Sequence, residues 1–205
     1  MTTLEIAKEL AAIAQTGGHF TEGHYDKERY QRLGELAAVL LASCSDVPAA
    51  KILAWNKQEF GYATPKVDVR AFIADGNRVL LVREDADEGR WTLPGGWADV
   101  NESPSQSVVR EVEEESGYAA KVLRLLAVLD RERQGHVPPF PYHVYKLFFH
   151  CEIVGGAPRA SFESSGSAFF PKDALPPLSV SRVLAKQIHA CFDAIESRCY
   201  ETRYD

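Results

Sequence analysis

The chain lacks the features that would tie it to a membrane or an export route. Its 205 residues contain no apolar stretch long enough to span a bilayer. The N-terminus carries no basic region followed by an apolar run and a small-residue cleavage site. Cysteine is sparse: Cys44, Cys151, Cys191 and Cys199 form no Cys-x-x-Cys pair, and no histidine stands at zinc-finger spacing from them. They read as reduced, mostly buried apolar residues. An excess of positive charge is missing too. A formal net charge of -6 argues against broad nonspecific binding to nucleic acid, which needs clustered Lys and Arg. Repeats and low-complexity tracts are absent. A cytoplasmic globular enzyme, one domain with an extension, fits these absences.

What is present is concentrated between Trp91 and Tyr118. Trp91-Thr92-Leu93-Pro94-Gly95-Gly96 forms a turn whose glycines let the backbone approach a ligand closely. Ser103-Pro104-Ser105-Gln106 then predicts a helix start, with serine as cap, proline at the first helical position and glutamine closing a capping box. Gly117 predicts its end. On that helix Glu111, Glu114 and Glu115 share an arc of about 100°, and Val108, Val109 and Val112 fill the neighbouring arc. Glu113 points elsewhere. Three carboxylates on one face repel one another unless a positive group offsets the cost. Oxygen-only ligands suit magnesium or manganese, whereas zinc would call for histidine or cysteine. The ordinary alternative is a solvated acidic face with Lys or Arg partners.

The spacing from Gly96 through Glu102 to Arg110-Glu111-Val112-Glu113-Glu114-Glu115-Ser116-Gly117-Tyr118 resembles the signature of the Nudix hydrolases at every fixed position, with Tyr118 a mild departure from the usual aliphatic residue. That resemblance implies an α/β/α sandwich with a mixed sheet, and hydrolysis of a nucleoside diphosphate linked to another group. It implies metal ligation by Glu114, Glu115 and the Gly96 carbonyl, with Mg2+ as the cofactor and Mn2+ as a substitute. Glu111 would be a ligand or the general base, Arg110 would pair with and orient a carboxylate, and Glu102 would either stand just behind the metal ligands or support the helix. Glu163 corresponds to a further loop glutamate that in related enzymes binds metal or acts as base.

Around this centre the chain divides into an N-terminal helical domain, 1–62, and a Nudix domain, 63–205. Leu4, Ile6, Ala7, Leu10, Ala11 and Ile13 predict a first helix ending near Gly17-Gly18. Asp26 is a candidate cap for a second, carrying Tyr30, Leu33, Leu36, Ala37 and Leu40, and Pro48 opens a third. Three such helices alone make a marginal core, so they are expected to pack on the catalytic domain or on a second subunit, with a homodimer preferred. Segments Ile13–Gly17, Tyr25–Tyr30 and Thr64–Arg70 resemble the Nudix branch that includes CDP-choline pyrophosphatases.

Val67, Val69, Ala71 and Ile73 alternate as a half-buried strand, and Asp75-Gly76-Asn77 turns the chain into a hairpin. Lys121–Leu129, His143–Ile153 and Ala168–Phe170 read as further strands, and Val183–Ile195 as a closing helix capped by Ser179 or Ser181. Arg182 reads as helix surface charge. Between two strands, Asp130–Pro141 is either a substrate-contacting loop or a solvated connector. Arg131, Arg133, Phe140, Tyr142 and Trp97 are the substrate-binding candidates, the aromatics for a quaternary ammonium. His136 reads as a surface histidine.

The leading expectation is therefore hydrolysis of CDP-choline to CMP and phosphocholine. The alternatives are an ADP-ribose pyrophosphatase, an enzyme trimming RNA ends, and a regulator that binds a nucleotide without cleaving it.

Overall fold

The computed structural model describes residues 1–161, 164–197 and 200–205, and divides into two compact units. One comprises Met1–Lys66 with Val137–His143; the other comprises Val67–His136 with Val144–Asp205. The loop segment 137–143 thus joins the helical unit, although it lies well inside the second half of the chain.

In the helical unit, α1 (Thr3–Phe20), α2 (His24–Ser43) and α3 (Ala49–Asn56) follow one another. Thr2 opens α1 with a capping box to Glu5. Contrary to expectation, α1 does not stop at Gly17-Gly18 but runs through them to Phe20. Packing explains why: a Cβ on Gly17 would stand 2.2 Å from the Tyr30 ring, so the glycine makes room for α2 instead of ending α1. Gly23, not Asp26, caps α2; Asp26 lies in its first turn and bonds Arg29 at 2.7 Å. Ala7, Ala38, Leu41 and Ile52 form a small core. Ile6, Ile13 and Phe20 on α1, and Tyr25, Leu36 and Val39 on α2, remain exposed.

Among the described residues the second unit contains eight strands and two α-helices: β1 (Lys66–Phe72, whose first residue falls in the helical unit), β2 (Ala74–Asp75), β3 (Arg78–Glu84), β4 (Arg90–Thr92), α4 (Pro104–Ser116), β5 (Tyr118–Asp130), β6 (Val144–Gly156), β7 (Ser164–Pro171), α5 (Ala185–Glu196) and β8 (Arg203–Tyr204). They make one sheet of order β1-β6-β5-β8 and a second of β2-β3-β4 with β7 also on β3. The first sheet is mixed, since β5 pairs antiparallel with β6 but parallel with β8, whereas β3 pairs antiparallel with β2, β4 and β7 in the second.

Alternation along the strands splits the interior into two cores. Phe72, Val79, Leu81, Ala127, Leu129 and Phe148 pack with Ile188, Cys191 and Phe192 of α5. Val69, Ala71, Ile73, Leu80, Phe149 and Cys151 pack with Val108 and Val112 of α4. A helix therefore covers each face, as in an α/β/α sandwich. The alternation in β1 separates two kinds of buried face, since Asp68 and Arg70 are buried as well. The closing helix begins after Leu184, whose N–H donates to the Gln187 side chain, so neither Ser179 nor Ser181 caps it. Cys151 and Cys191 are buried free thiols, their pKa values pushed up to about 12 by burial, and Cys44 is partly buried; Cys199 lies outside the described residues.

Candidate active site

The glycine turn is bound to β1 by backbone. Val69 N–H donates to the Gly96 carbonyl and Ala71 N–H to the Pro94 carbonyl, each at 2.8 Å. Gly95 takes a φ of +143° and lies so close that a Cβ there would stand 2.0 Å from the Val69 oxygen. Its N–H donates to Glu115 Oε2 at 2.8 Å, which ties the turn to α4. A Cβ on Gly96 would come within 2.8 Å of Glu111 Oε1, so bare backbone faces that carboxylate.

Ser103 and Gln106 form the predicted capping box of α4, Pro104 stands at its first position and Gly117 ends it in the left-handed conformation. Val108 and Val112 face the core, Glu111 and Glu115 are buried, and Glu114 is exposed. Glu115, only 6 % exposed, has its pKa raised to about 8, chiefly by burial. Burial also raises that of Glu111.

Arg110 lies among these carboxylates. Its Nη1 donates to Glu111 at 3.0 Å and to Glu114 at 2.8 Å, and its Nε donates to Glu102, which also accepts from Ser107. Nη2 faces Asp99 at 3.4 Å without a hydrogen bond. Burial would lower the pKa of Arg110, but the hydrogen bonds to Glu102 and Glu114 and the charge of Glu111 raise it. Among the described residues no trio of His, Cys, Asp or Glu side chains is gathered at metal-holding distance; Arg110 draws Glu111 and Glu114 to itself. The donor set is nonetheless oxygen-only, with bare Gly96 backbone beside Glu111, and such donors suit a hard divalent cation.

Sequence reasoning missed the charges beneath the turn. Arg70, 4 % exposed, donates through Nε and Nη2 to both oxygens of Asp68, at 2.9 and 2.7 Å, and through Nη1 to the Leu93 carbonyl at 3.2 Å. Lys146, 2 % exposed, donates to Asp68 Oδ1 at 2.6 Å. Burial would raise the pKa of Asp68, but Arg70 and Lys146 bring it down to about 2. Burial lowers that of Lys146 to about 8. The sign in the sequence was the charged pair Asp68 and Arg70 interleaved with Val67, Val69 and Ala71. Glu84, another buried carboxylate, forms an ion pair with Arg182 at 3.1 Å, so Arg182, which precedes α5, is an ion-pair partner and not the helix surface charge expected.

The other candidates fall in separate places. Trp97 is exposed just after the turn, and Arg133 is exposed beside Asp130. Arg131 is buried and bonds Glu132 at 2.7 Å. Phe140 and Tyr142 belong to the helical unit, where their rings lie 5.7 Å apart and Lys66 covers the Tyr142 ring at 5.6 Å. His136 is not a surface residue: it is 3 % exposed, its Nδ1 donates to the Val180 carbonyl and its Nε2 accepts from Gln187. Burial and the charge of Lys146 lower its pKa to about 4, which fits this neutral tautomer. Glu163 lies outside the described residues.

A family model described as "NUDIX domain" matches residues 64–191, more than half of the chain. The chain belongs to the Nudix family. A second model, "UDP-X-like, N-terminal oligomerisation domain", matches residues 1–55. Among Nudix relatives, a Bacillus subtilis (strain 168) protein named "Putative ADP-ribose pyrophosphatase YjhB" is 43 % identical over 202 residues, covering 98 % of this chain and 96 % of its own. A solved structure of a UDP-X diphosphatase matches with a TM-score of 0.65 at 33 % identity and covers both chains completely. That of an ADP-ribose pyrophosphatase from Streptococcus suis 89-1591 matches with 0.63 at 39 % identity, over 69 % of this chain and all of that one. The chain is accordingly a Nudix hydrolase, of the family the signature between Gly96 and Tyr118 resembles. Among the described residues no helix is long and apolar enough to cross a membrane.

Proposed function

We propose that this Nudix hydrolase is a divalent-cation-dependent pyrophosphohydrolase that cleaves ADP-ribose with water to AMP and ribose 5-phosphate. The observation that carries the reading is the face of α4, where Glu111 and Glu115 lie beside the glycine turn and Glu114 extends the set. Support for the substrate comes from the two relatives named for ADP-ribose, one of them similar along nearly the whole chain. CDP-choline, the leading expectation from sequence, gains no such support. Its structural argument weakens as well, because a lysine already covers the Tyr142 face that a choline cation would need. A UDP-linked substrate is the second reading, favoured by the full-length likeness to the UDP-X diphosphatase.

Glu111, Glu114, Glu115 and the Gly96 carbonyl would hold Mg2+, or Mn2+ in its place. When bound, such a cation offsets the charge of the diphosphate and acidifies water. The chain's own groups do the rest. Glu115 is fixed to the turn by the Gly95 N–H, Arg110 is oriented by Glu102, and Glu111 is near enough to the Gly96 backbone to share a ligand or take a proton. Arg133 is the basic candidate left exposed in the 130–136 turn for the distal phosphate, since Arg131 is buried against Glu132. A homodimer through the helical unit draws support from the oligomerisation model at residues 1–55 and from the exposed apolar residues of α1 and α2. Free thiols at Cys44, Cys151 and Cys191 suit a cytoplasmic location.

The test is a kcat/KM comparison, in Mg2+, of ADP-ribose, UDP-sugars, CDP-choline and short RNA, with products identified. Preference for ADP-ribose is expected. Preference for a UDP-sugar would overturn the substrate, and cleavage of none would overturn the enzyme reading.

A further inference from the structure

The two arginines near the α4 carboxylates behave differently. Arg110 is bonded directly to Glu111 and Glu114. Arg70 backs the turn that holds Glu115: a Cβ on Gly95 would stand 2.9 Å from the Arg70 Cα, and the Gly95 N–H donates to Glu115 at 2.8 Å. Its charge favours the ionised forms of Glu115 and Glu111, yet its hydrogen bonds go to Asp68, the Leu93 carbonyl and Thr92. A guanidinium on a flexible stem beside two carboxylates would ordinarily pair with them bidentately. Instead Asp68 engages its Nε and Nη2, at 2.9 and 2.7 Å, and the Leu93 carbonyl accepts from its Nη1 at 3.2 Å, so each of its three nitrogens is already committed. Asp68 is in turn held by Lys146 at 2.6 Å, deep in the fold.

Three buried ionic groups form a costly arrangement, and apolar residues of similar volume commonly do as well for stability alone. What apolar residues could not do is keep a positive charge near Glu111 and Glu115 while denying it contact with them. That distinction matters for a cation site. A nearby fixed charge offsets the repulsion that would spread the carboxylates, whereas a guanidinium bonded to their oxygens would compete with the cation for the same lone pairs.

We propose that Asp68 is a positioning residue that, braced by Lys146, restrains Arg70 so that its charge steadies Glu111 and Glu115 without occupying them. The inference rests on the reading above that those glutamates bind a divalent cation. Releasing Arg70 converts it into a competitor. Loss of Asp68 should then weaken cation binding, although Asp68 itself touches neither glutamate, and most of that loss should be recovered when Arg70 is also removed, short of the part its charge contributes.

The experiment measures Mn2+ binding to the full chain by electron paramagnetic resonance of free Mn2+, without substrate, and confirms folding by circular dichroism. Asp68→Asn/Lys146→Met is the informative variant, because it frees Arg70 while the net charge of the trio stays at its wild-type value. Weakening of about tenfold or more is expected, the range seen when groups that orient metal ligands are lost. Asp68→Asn/Arg70→Met, also balanced in charge, should bind within about threefold of wild type, since the competitor is gone. A folded Asp68→Asn/Lys146→Met protein with wild-type affinity would overturn the proposal. So would an Asp68→Asn/Arg70→Met protein as weak as the first variant, because the effect would then not pass through Arg70. Should a variant fail to fold, Asp68→Glu replaces it; its longer carboxylate displaces Arg70, and unchanged Mn2+ affinity there counts against the idea equally. Wild-type protein whose Mn2+ binding is untouched by Glu115→Gln would refute the metal reading itself, which keeps the two failures apart.

Discussion

Glu115→Gln should make the metal-free protein more stable at alkaline pH while removing its response to metal. A carboxyl that titrates near pH 4.5 in the unfolded chain titrates at about 8 in the fold. The folded state then holds the proton more tightly, so Glu115 contributes stability that is fully present below pH 4.5 and is lost as pH rises through 8. At pH 8.5 the full difference applies. At about 1.4 kcal/mol per pH unit the ceiling is on the order of 5 kcal/mol, and a loss of about 2 kcal/mol is a sober figure for a site that can relax. Glutamine keeps an oxygen for the Gly95 N–H and removes the charge. Melting followed by circular dichroism in EDTA should therefore show the variant gaining about 4–8 °C over wild type at pH 8.5. At pH 4.5 the gain should disappear. Added Mg2+ should raise the wild-type melting temperature by binding the native state, and should raise that of the variant much less. A variant that melts at or below wild type in EDTA at pH 8.5 would refute the reasoning, since it would mean the carboxylate carries no uncompensated cost.

Acid should act through His136. Its folded pKa of about 4 lies below the ordinary histidine value of 6.5, so stability is present above pH 6.5 and is lost as pH falls toward 4, by up to about 3 kcal/mol; His136→Gln should flatten that part of a denaturation-versus-pH curve. Gly95→Ala would drive a methyl toward the Val69 oxygen at a φ unfavourable for alanine, and should abolish measurable hydrolysis while far-ultraviolet circular dichroism stays near native. Leu36→Asp/Val39→Asp should convert a dimer to monomer in gel filtration with light scattering; an unchanged mass would place the contact elsewhere.

The sequence was most legible where local chemistry decides the outcome. Ser103, Pro104, Gln106 and Gly117 set the ends of α4 because caps act within one turn, and periodicity put Val108 and Val112 in the core. Legibility failed where distant packing overrides local preference. Gly17 looks like a stop, yet Tyr30 fills the space above it and the helix continues. His136 and Arg131 look like solvated loop residues, but both are buried, one against Gln187 and Val180 and the other against Glu132. The expected boundary at residue 62 missed that residues 137–143 fold with the helices, because a chain excursion of that kind leaves no mark in composition. The Asp68–Arg70–Lys146 cluster was hidden for a related reason: Asp68 and Lys146 are far apart in sequence, and only the adjacency of β1 and β6 brings them together.

The most direct test is to add MgCl2 stepwise to EDTA-treated enzyme with ADP-ribose and quantify AMP, in parallel with Glu111→Gln and Glu114→Gln. The account predicts no AMP before Mg2+, a saturable rise with it, and losses of about a hundredfold or more in both variants at wild-type folding. Equal turnover in EDTA, or near-normal turnover in both variants, would contradict it.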